Sequence, residues 1–348
     1  MSCIHNLKAY TLSPCPCRRL CCPYTNTPIK TARSFCKVRI MSNNRLKKNM
    51  LLRYASLLIF ALLAAMPLLL STYYVSLLLS VMLWLGITVS WHFFSGNTKY
   101  ISLGSAAFFG TGVYTTAIFQ RSMPFLSVLL LAYALTFIFA FAVGAVTLRL
   151  KGIYFTIFTF GLAELLNNAI LFWEMRVTGT RGRFIMPMDI YYYILVITLI
   201  VLTSIMFLRK TRLGLALRVI GENEDVAEHF GVNTTLYKIF GFAFSSAFIG
   251  VLGAAFAPRW GYIDSGIAFN SLYSFMPVIM TLFGGMETFL GPIIGAITIS
   301  LLEEYLLTNF KSYFMLILGL IMITIILVMP EGITERFRKT IRRLGRLL

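Results

Sequence analysis

The sequence predicts an all-α, polytopic integral membrane protein with about ten transmembrane helices, and three observations predict it. Hydrophobic residues make up 58% of the 348 and charged residues only 13%, with a mean hydropathy of +0.79; a water-soluble domain needs far more polar surface. The apolar residues gather into runs of bilayer-spanning length, roughly 20 residues for about 30 Å of hydrocarbon. The basic residues fall in short clusters between those runs and at both ends, as retention of Lys and Arg on the cytoplasmic side produces. The net charge of +18 therefore does not read as nucleic-acid binding, since no basic face combines with aromatic residues on a soluble fold.

The segment 1–49 holds all six cysteines, Cys3, Cys15, Cys17, Cys21, Cys22 and Cys36, and has no apolar run. It lacks the hydrophobic core of a signal peptide. Its Cys-Pro-Cys and Cys-Cys pairs allow metal binding, but His5 is the sole nearby imidazole and carboxylates are absent. A disordered basic tail is the plainer reading. The preferred one is a start-site extension, with translation beginning at Met41 or Met50, because Ser-Asn-Asn-Arg-Leu-Lys-Lys after Met41 is an ordinary lead into a first span.

The membrane-spanning body runs over 50–332, and 333–348 is a basic tail. Ten apolar segments are expected, near Tyr54–Ser71, Tyr74–Phe94, Ser102–Phe119, Phe125–Leu148, Ile153–Trp173, Ile190–Leu208, Leu236–Ala257, Ile267–Phe283, Thr288–Leu306 and Tyr313–Met329. The third and eighth are diluted by Gly, Ser and Thr. They are candidates for broken or re-entrant spans, tolerated where protein or a cavity satisfies the backbone. An even count places Arg45–Arg53, Arg149–Lys151, Arg209–Thr235 and the tail on the cytoplasmic side with both termini, as the charge rule asks. Arg176, Arg181 and Arg183 would lie outside, a mild conflict.

Small residues recur in the spans: Gly110 and Gly112 in the third, Gly250 and Gly253 in the seventh, Gly291 and Gly295 in the ninth. Close helix packing is the simpler explanation; the alternative is that some, Gly110 and Gly112 first, line a solute path. Glu164 sits near the middle of the fifth span, where an acid costs about 3 kcal/mol. Asn167 and Asn168 follow at i+3 and i+4, making one polar face. Path lining, interhelical hydrogen bonding and proton coupling are all open readings of that face. Glu303 and Glu304, near a helix end, are expected to reach water.

The longest internal polar stretch, 211–231, reads as one short amphipathic helix. Leu213, Leu217, Ile220 and Ala227 make one stripe, and Ala216, Val219, Val226 and Phe230 another. Interfacial helices usually carry a Lys/Arg-rich polar face. This one has Glu222, Glu224, Asp225 and Glu228, which favours docking to a protein over lying on an anionic surface.

Here the residues resemble a known class. Asp225-Val-Ala-Glu-His-Phe-Gly231 is similar to the Glu-Ala-Ala-x-x-x-Gly coupling segment of ATP-binding-cassette importers. Arg218-Val-Ile-Gly-Glu-Asn-Glu224 with Ala227-Glu-His-Phe-Gly231 resembles the branched-chain amino-acid permease family (LivM type, related to urea permeases). So do Ser102–Tyr114, Leu148–Glu164, Thr178-Gly-Thr-Arg-Gly182, and Gly284-Gly285 with Leu290-Gly-Pro292, in the family's order. Thr180 stands where the family has glycine, and Met286-Glu287 replaces its usual x-Gly.

The resemblance implies an importer permease fold and several partners: two ATPase subunits, a second related permease, an external solute-binding protein and membrane lipid, without nucleic acid. ATP and Mg would be bound by the ATPases, this chain having no cofactor and no metal site. Arg218, Glu222, Asn223, Glu224, Asp225, Ala227 and Gly231 would couple to the ATPases. Glu164, Asn167, Asn168, Gly110 and Gly112 would line the path, and Thr178, Gly179 and Gly182 would receive the binding protein. The location implied is a bacterial inner membrane, and the solute a branched-chain amino acid or a related small polar molecule. The rivals are a proton- or ion-coupled secondary transporter using Glu164, or a membrane enzyme. No phosphate loop, His-Glu-x-x-His or Gly-x-Ser-x-Gly is present, and His5, His92 and His229 form no ligand pattern.

Overall fold

The computed structural model describes residues 63–64, 66–67, 71–150, 152–177, 179–310 and 313–328. The N-terminal cysteine segment, most of the expected first span, Thr178 and the basic tail lie outside them. The described residues from Met66 onward belong to one compact unit.

Its elements are α1 (Thr72–Trp91), running into a π-helix (His92–Gly96), α2 (Ser105–Phe119), α3 (Phe125–Thr147) and α4 (Ile153–Val177). There follow β1 (Arg183–Phe184), α5 (Tyr191–Leu208), α6 (Arg212–Glu222), α7 (Glu224–His229) and α8 (Thr234–Phe256). The described residues end with β2 (Tyr262–Ile263), α9 (Ser265–Ala268), α10 (Leu272–Gly284), α11 (Leu290–Asn309) and α12 (Phe314–Val328).

Nine of the ten expected segments are helical among the described residues, and seven helical stretches, one of them α9 and α10 taken together (Ser265–Gly284), are long and apolar enough to cross a membrane. The third and tenth expected segments, α2 and α12, have 15 residues each. The eighth is interrupted: α9 ends at Ala268 and α10 begins at Leu272.

α8 is the hub. It is buried along most of its length and packs chiefly on α3 and α2, with α1 behind them. The glycines explain how closely these helices approach. A Cβ on Gly112 would run into the Gly250 carbonyl, one on Gly253 into the Phe109 carbonyl, and one on Gly295 into the Met280 carbonyl. Backbone therefore meets backbone across α2–α8 and α10–α11, the arrangement small residues permit in an apolar medium. By contrast α4 exposes Ile157, Phe158, Leu165, Phe172 and Trp173, and α3 exposes Leu126, Leu130 and Ile138, apolar surface suited to lipid or another membrane subunit.

Two expectations change. The stretch 211–231 is two helices, because Asn223 is extended (φ −159°, ψ 114°) and its side chain accepts from Val226 N at 3.2 Å, starting α7 anew. Glu303 does not sit at a helix end: α11 continues to Asn309, and Glu303 is half-buried and hydrogen-bonded to Trp84.

Candidate functional site

α6 lies on the bundle by its apolar face. Gly214, Ala216, Leu217 and Ile220 are buried, Leu217 reaches Gly241 of α8, and Gly221 abuts the Asn97 carbonyl. Ahead of it, the Arg209 guanidinium stacks over Phe289 at 4.7 Å. Burial and then the charge of Arg218 push its pKa down to about 10. His92 Nε2 donates to the Met286 carbonyl at 2.7 Å, so the π-helix holds the turn between α10 and α11.

α7 is defined at both ends. Asn223 caps its start, with Glu224 and Asp225 in the first turn where the helix dipole favours acids. At its other end Gly231 has φ +77°, with Val232 N donating to Ala227 O at 3.1 Å and Gly231 N to Glu228 O at 2.9 Å. That is a Schellman motif, which calls for glycine. The Thr234 hydroxyl donates to Glu228 Oε1 at 2.6 Å, and Asn233 caps α8.

The two apolar stripes part company here. Of the first, Leu217, Ile220 and Ala227 are buried and Leu213 half-buried; of the second, Ala216 is buried but Val219, Val226 and Phe230 are exposed, Phe230 by 81%. Around this exposed line stand Arg218, Glu222, Asn223, Asp225, Glu228 and His229, all exposed. Glu224 turns the other way: its Oε1 meets Lys238 Nζ at 2.5 Å and its Oε2 accepts from the Tyr100 hydroxyl at 2.7 Å. The Lys238 ammonium also sits 4.9 Å over the Tyr100 ring. Burial, then the hydrogen bond and charge of Glu224, raise the Tyr100 pKa above its ordinary value, so the phenol keeps its proton. Neither Tyr100 nor Lys238 stands out in the sequence; a lysine in the second turn of an apolar helix is the signal.

Glu164 is half-buried on α4, and its Oε1 accepts from the Ser271 hydroxyl at 3.0 Å, in the break between α9 and α10. Asn167 is half-buried, while the Asn168 amide turns back to the Glu164 carbonyl at 2.8 Å. Phe269 closes the same break: its ring covers Gly110 and stacks on Tyr114 at 5.7 Å. Glu164 and Gly110 thus border one irregular stretch of backbone, and Gly112 packs on α8.

α4 has 25 residues, about 37 Å at the helical rise, so its last turn lies at the far end from Thr156. There Glu174 is fully buried, accepting from the Tyr114 hydroxyl at 3.1 Å and from Gly182 N at 3.0 Å. Gly179 and Gly182 have φ of +68° and +74°, and the Tyr262 hydroxyl donates to Arg181 O at 2.8 Å. β1 pairs antiparallel with β2, Arg183 opposite Ile263. The glycine loop is therefore held in one shape by a buried acid that sequence reasoning passed over. Among the described residues no group of His, Cys, Asp and Glu is arranged to hold a metal.

With this geometry described, comparison with known proteins places the chain. The family described as branched-chain amino acid transport system / permease component matches residues 73–326. The high-affinity branched-chain amino acid transport system permease protein LivM of Salmonella typhimurium is 28% identical over 284 residues, covering 71% of this chain and 66% of that protein. Its namesake from Escherichia coli is 27% identical over the same shares. A probable branched-chain amino acid transport permease protein LivH of Methanocaldococcus jannaschii is 29% identical over 157 residues, 43% of this chain and 49% of its own. The chain thus spans 66% of the length of its LivM relatives, just under two thirds. No solved structure matches it. The match over residues 73–326, most of the described bundle, makes this chain a member of the branched-chain amino acid transport system permease family.

Proposed function

We propose that this chain is the membrane-spanning permease subunit of an ATP-driven importer of branched-chain amino acids or a related small polar solute. The observation that carries the reading is the exposed face of α6 and α7. Val219, Val226 and Phe230 form an apolar line flanked by Glu222, Asp225 and Glu228, on a segment fastened to the bundle by Glu224 and Lys238. An exposed aromatic ringed by polar groups is what a protein partner grips. The partner would be an ATPase subunit that binds ATP and Mg and drives the segment; Arg218, Asn223 and Gly231 complete the gripped surface, and the buried Ala227 anchors it.

Two ATPases, a second related permease on the exposed face of α4, and a solute-binding protein on the Thr178–Gly182 loop complete the assembly. It would lie in a bacterial inner membrane with ten spans and both termini cytoplasmic. Glu164, Asn167 and Asn168 would line the path, with Gly110 and Gly112 drawing α2 close. Irregular backbone such as the α9–α10 break is tolerated at membrane depth where it is buried in protein or borders a cavity.

The test is co-purification of the chain from its native membrane in mild detergent, with uptake measured in proteoliposomes. Co-purifying ATPase and second permease, and uptake that requires ATP, support the reading. Uptake by the chain alone, abolished by an uncoupler, would make it a secondary transporter. Gly231→Leu tests the docking face: nothing lies within 4 Å of a Cβ there, so the fold bears only the backbone strain of about 1–2 kcal/mol. ATPase stimulation should fall well beyond that while the chain still reaches the membrane.

A further inference from the structure

We propose that the short segment Lys99–Gly104, with Tyr100 as its positioning residue, is the relay that carries movement of α6 and α7 to α4. The inference rests on the importer reading above and names a part of that mechanism which family membership does not assign.

The segment is tied at both sides. Toward α7, the Tyr100 hydroxyl donates to Glu224 Oε2 at 2.7 Å, and its ring lies under the Lys238 ammonium. Just before it, the Asn97 carbonyl abuts Gly221 of α6 so closely that no side chain fits between them. Toward α4, the Tyr100 ring meets Phe155 edge-on at 5.8 Å. The Thr156 hydroxyl donates to the Ile101 carbonyl at 2.8 Å, and Leu103 N donates to Thr159 Oγ1 at 3.0 Å. Thr159 is buried on α4, five residues before Glu164 and on the same helix. From Tyr100 to Leu103 the chain is thus bonded to α7 on one side and α4 on the other, with Ser102 between them bonded to Trp91 of α1 at 2.7 Å and to Ser95 of the π-helix at 3.4 Å.

Lys99 adds an independent sign. It is the one non-glycine residue with positive φ, +61°, among the described residues. Left-handed backbone is unfavourable for lysine and persists where the surroundings enforce it, often at sites with a mechanical role. Here it turns the chain so that Tyr100 points at Glu224 while Ile101 and Leu103 face α4. Farther along, α4 is held by Glu164 at Ser271 and by Glu174 at Tyr114 and Gly182, so the bonds at Thr156 and Thr159 are what tie its first turns to the segment. A path of this kind acts by contiguous bonds between two arrangements and is established by measured coupling.

The experiment uses the assembled importer, chain plus co-purified partners, in proteoliposomes, reading leucine uptake and ATP hydrolysis together. Tyr100→Phe keeps the ring against Phe155 and Lys238 and removes only the hydroxyl. Expected are intact assembly, ATP hydrolysis near the wild-type rate, and uptake per ATP lower by about tenfold. Thr156→Val should uncouple in the same way and Thr156→Ser should restore coupling, which keeps the test open even if Tyr100→Phe assembles poorly. The double variant Tyr100→Phe/Thr156→Val should be no worse than either single one, the signature of residues acting in series. Intact assembly with unchanged uptake per ATP in Tyr100→Phe and Thr156→Val overturns the relay alone. So do losses in which uptake and ATP hydrolysis fall together, since these report a merely structural role. A wild-type chain that carries no ATPase overturns the importer reading and the relay with it.

Discussion

Lys238, its side chain 3% exposed, meets the Glu224 carboxylate at 2.5 Å across the joint between α7 and α8. Removing one partner of a buried pair strands the other's charge. Lys238→Met should therefore destabilise by about 3 kcal/mol, read as a lower thermal midpoint of the solubilised protein. Lys238→Met with Glu224→Gln should recover most of that loss, because the stranded charge is gone.

The buried Glu174 offers two acceptor oxygens to two donors, the buried Tyr114 hydroxyl and the half-buried Gly182 N. Glutamine supplies one acceptor and one donor, so Glu174→Gln leaves a donor facing a donor. The expected loss is about 1–3 kcal/mol of local order, seen as faster proteolysis in 178–183. Stimulation of ATP hydrolysis by the solute-binding protein should drop while the unstimulated rate is kept.

Gly112 and Gly161 predict opposite outcomes for the same change. A Cβ at Gly112 meets the Gly250 carbonyl, backbone that cannot turn aside; at Gly161 nothing lies within 4 Å. Gly112→Ala should cost about 3 kcal/mol or more by overpacking, and Gly161→Ala should be neutral. Heating each variant in detergent and measuring the monodisperse fraction checks both.

Glu164 holds its hydrogen bond through an acceptor oxygen, with Ser271 as donor. Glu164→Gln keeps an acceptor, so ATP-driven uptake should stay within about threefold of wild type, the worth of one neutral hydrogen bond. Glu164→Leu should slow it further. Loss of uptake in the glutamine variant, together with sensitivity to an uncoupler, would show that the charge itself is required.

Much of the exposed face of α6 and α7 was legible in the chain. Asn223 and Gly231 announce a helix start and stop by local chemistry, and the acids between them are plain. That 211–231 breaks in two was not, because the same Asn that caps α7 interrupts a pattern otherwise periodic across both helices. Which stripe would be buried was undecided too: Leu217 and Phe230 are both apolar, and only the seat of Leu217 against Gly241 settles it.

By itself the sequence determined the membrane class, nine of the helical segments and the family, because hydropathy, span length and capping are properties of neighbouring residues. Tertiary structure alone decided which polar side chains turn inward. Tyr100 and Glu224 are 124 residues apart, Ser271 and Glu164 are 107 apart, and Tyr114 and Glu174 are 60 apart. The physical reason is desolvation: a polar group taken out of water must find a partner. Which partner it finds depends on how the glycine faces of α2, α8, α10 and α11 let the helices close, and no local pattern records that.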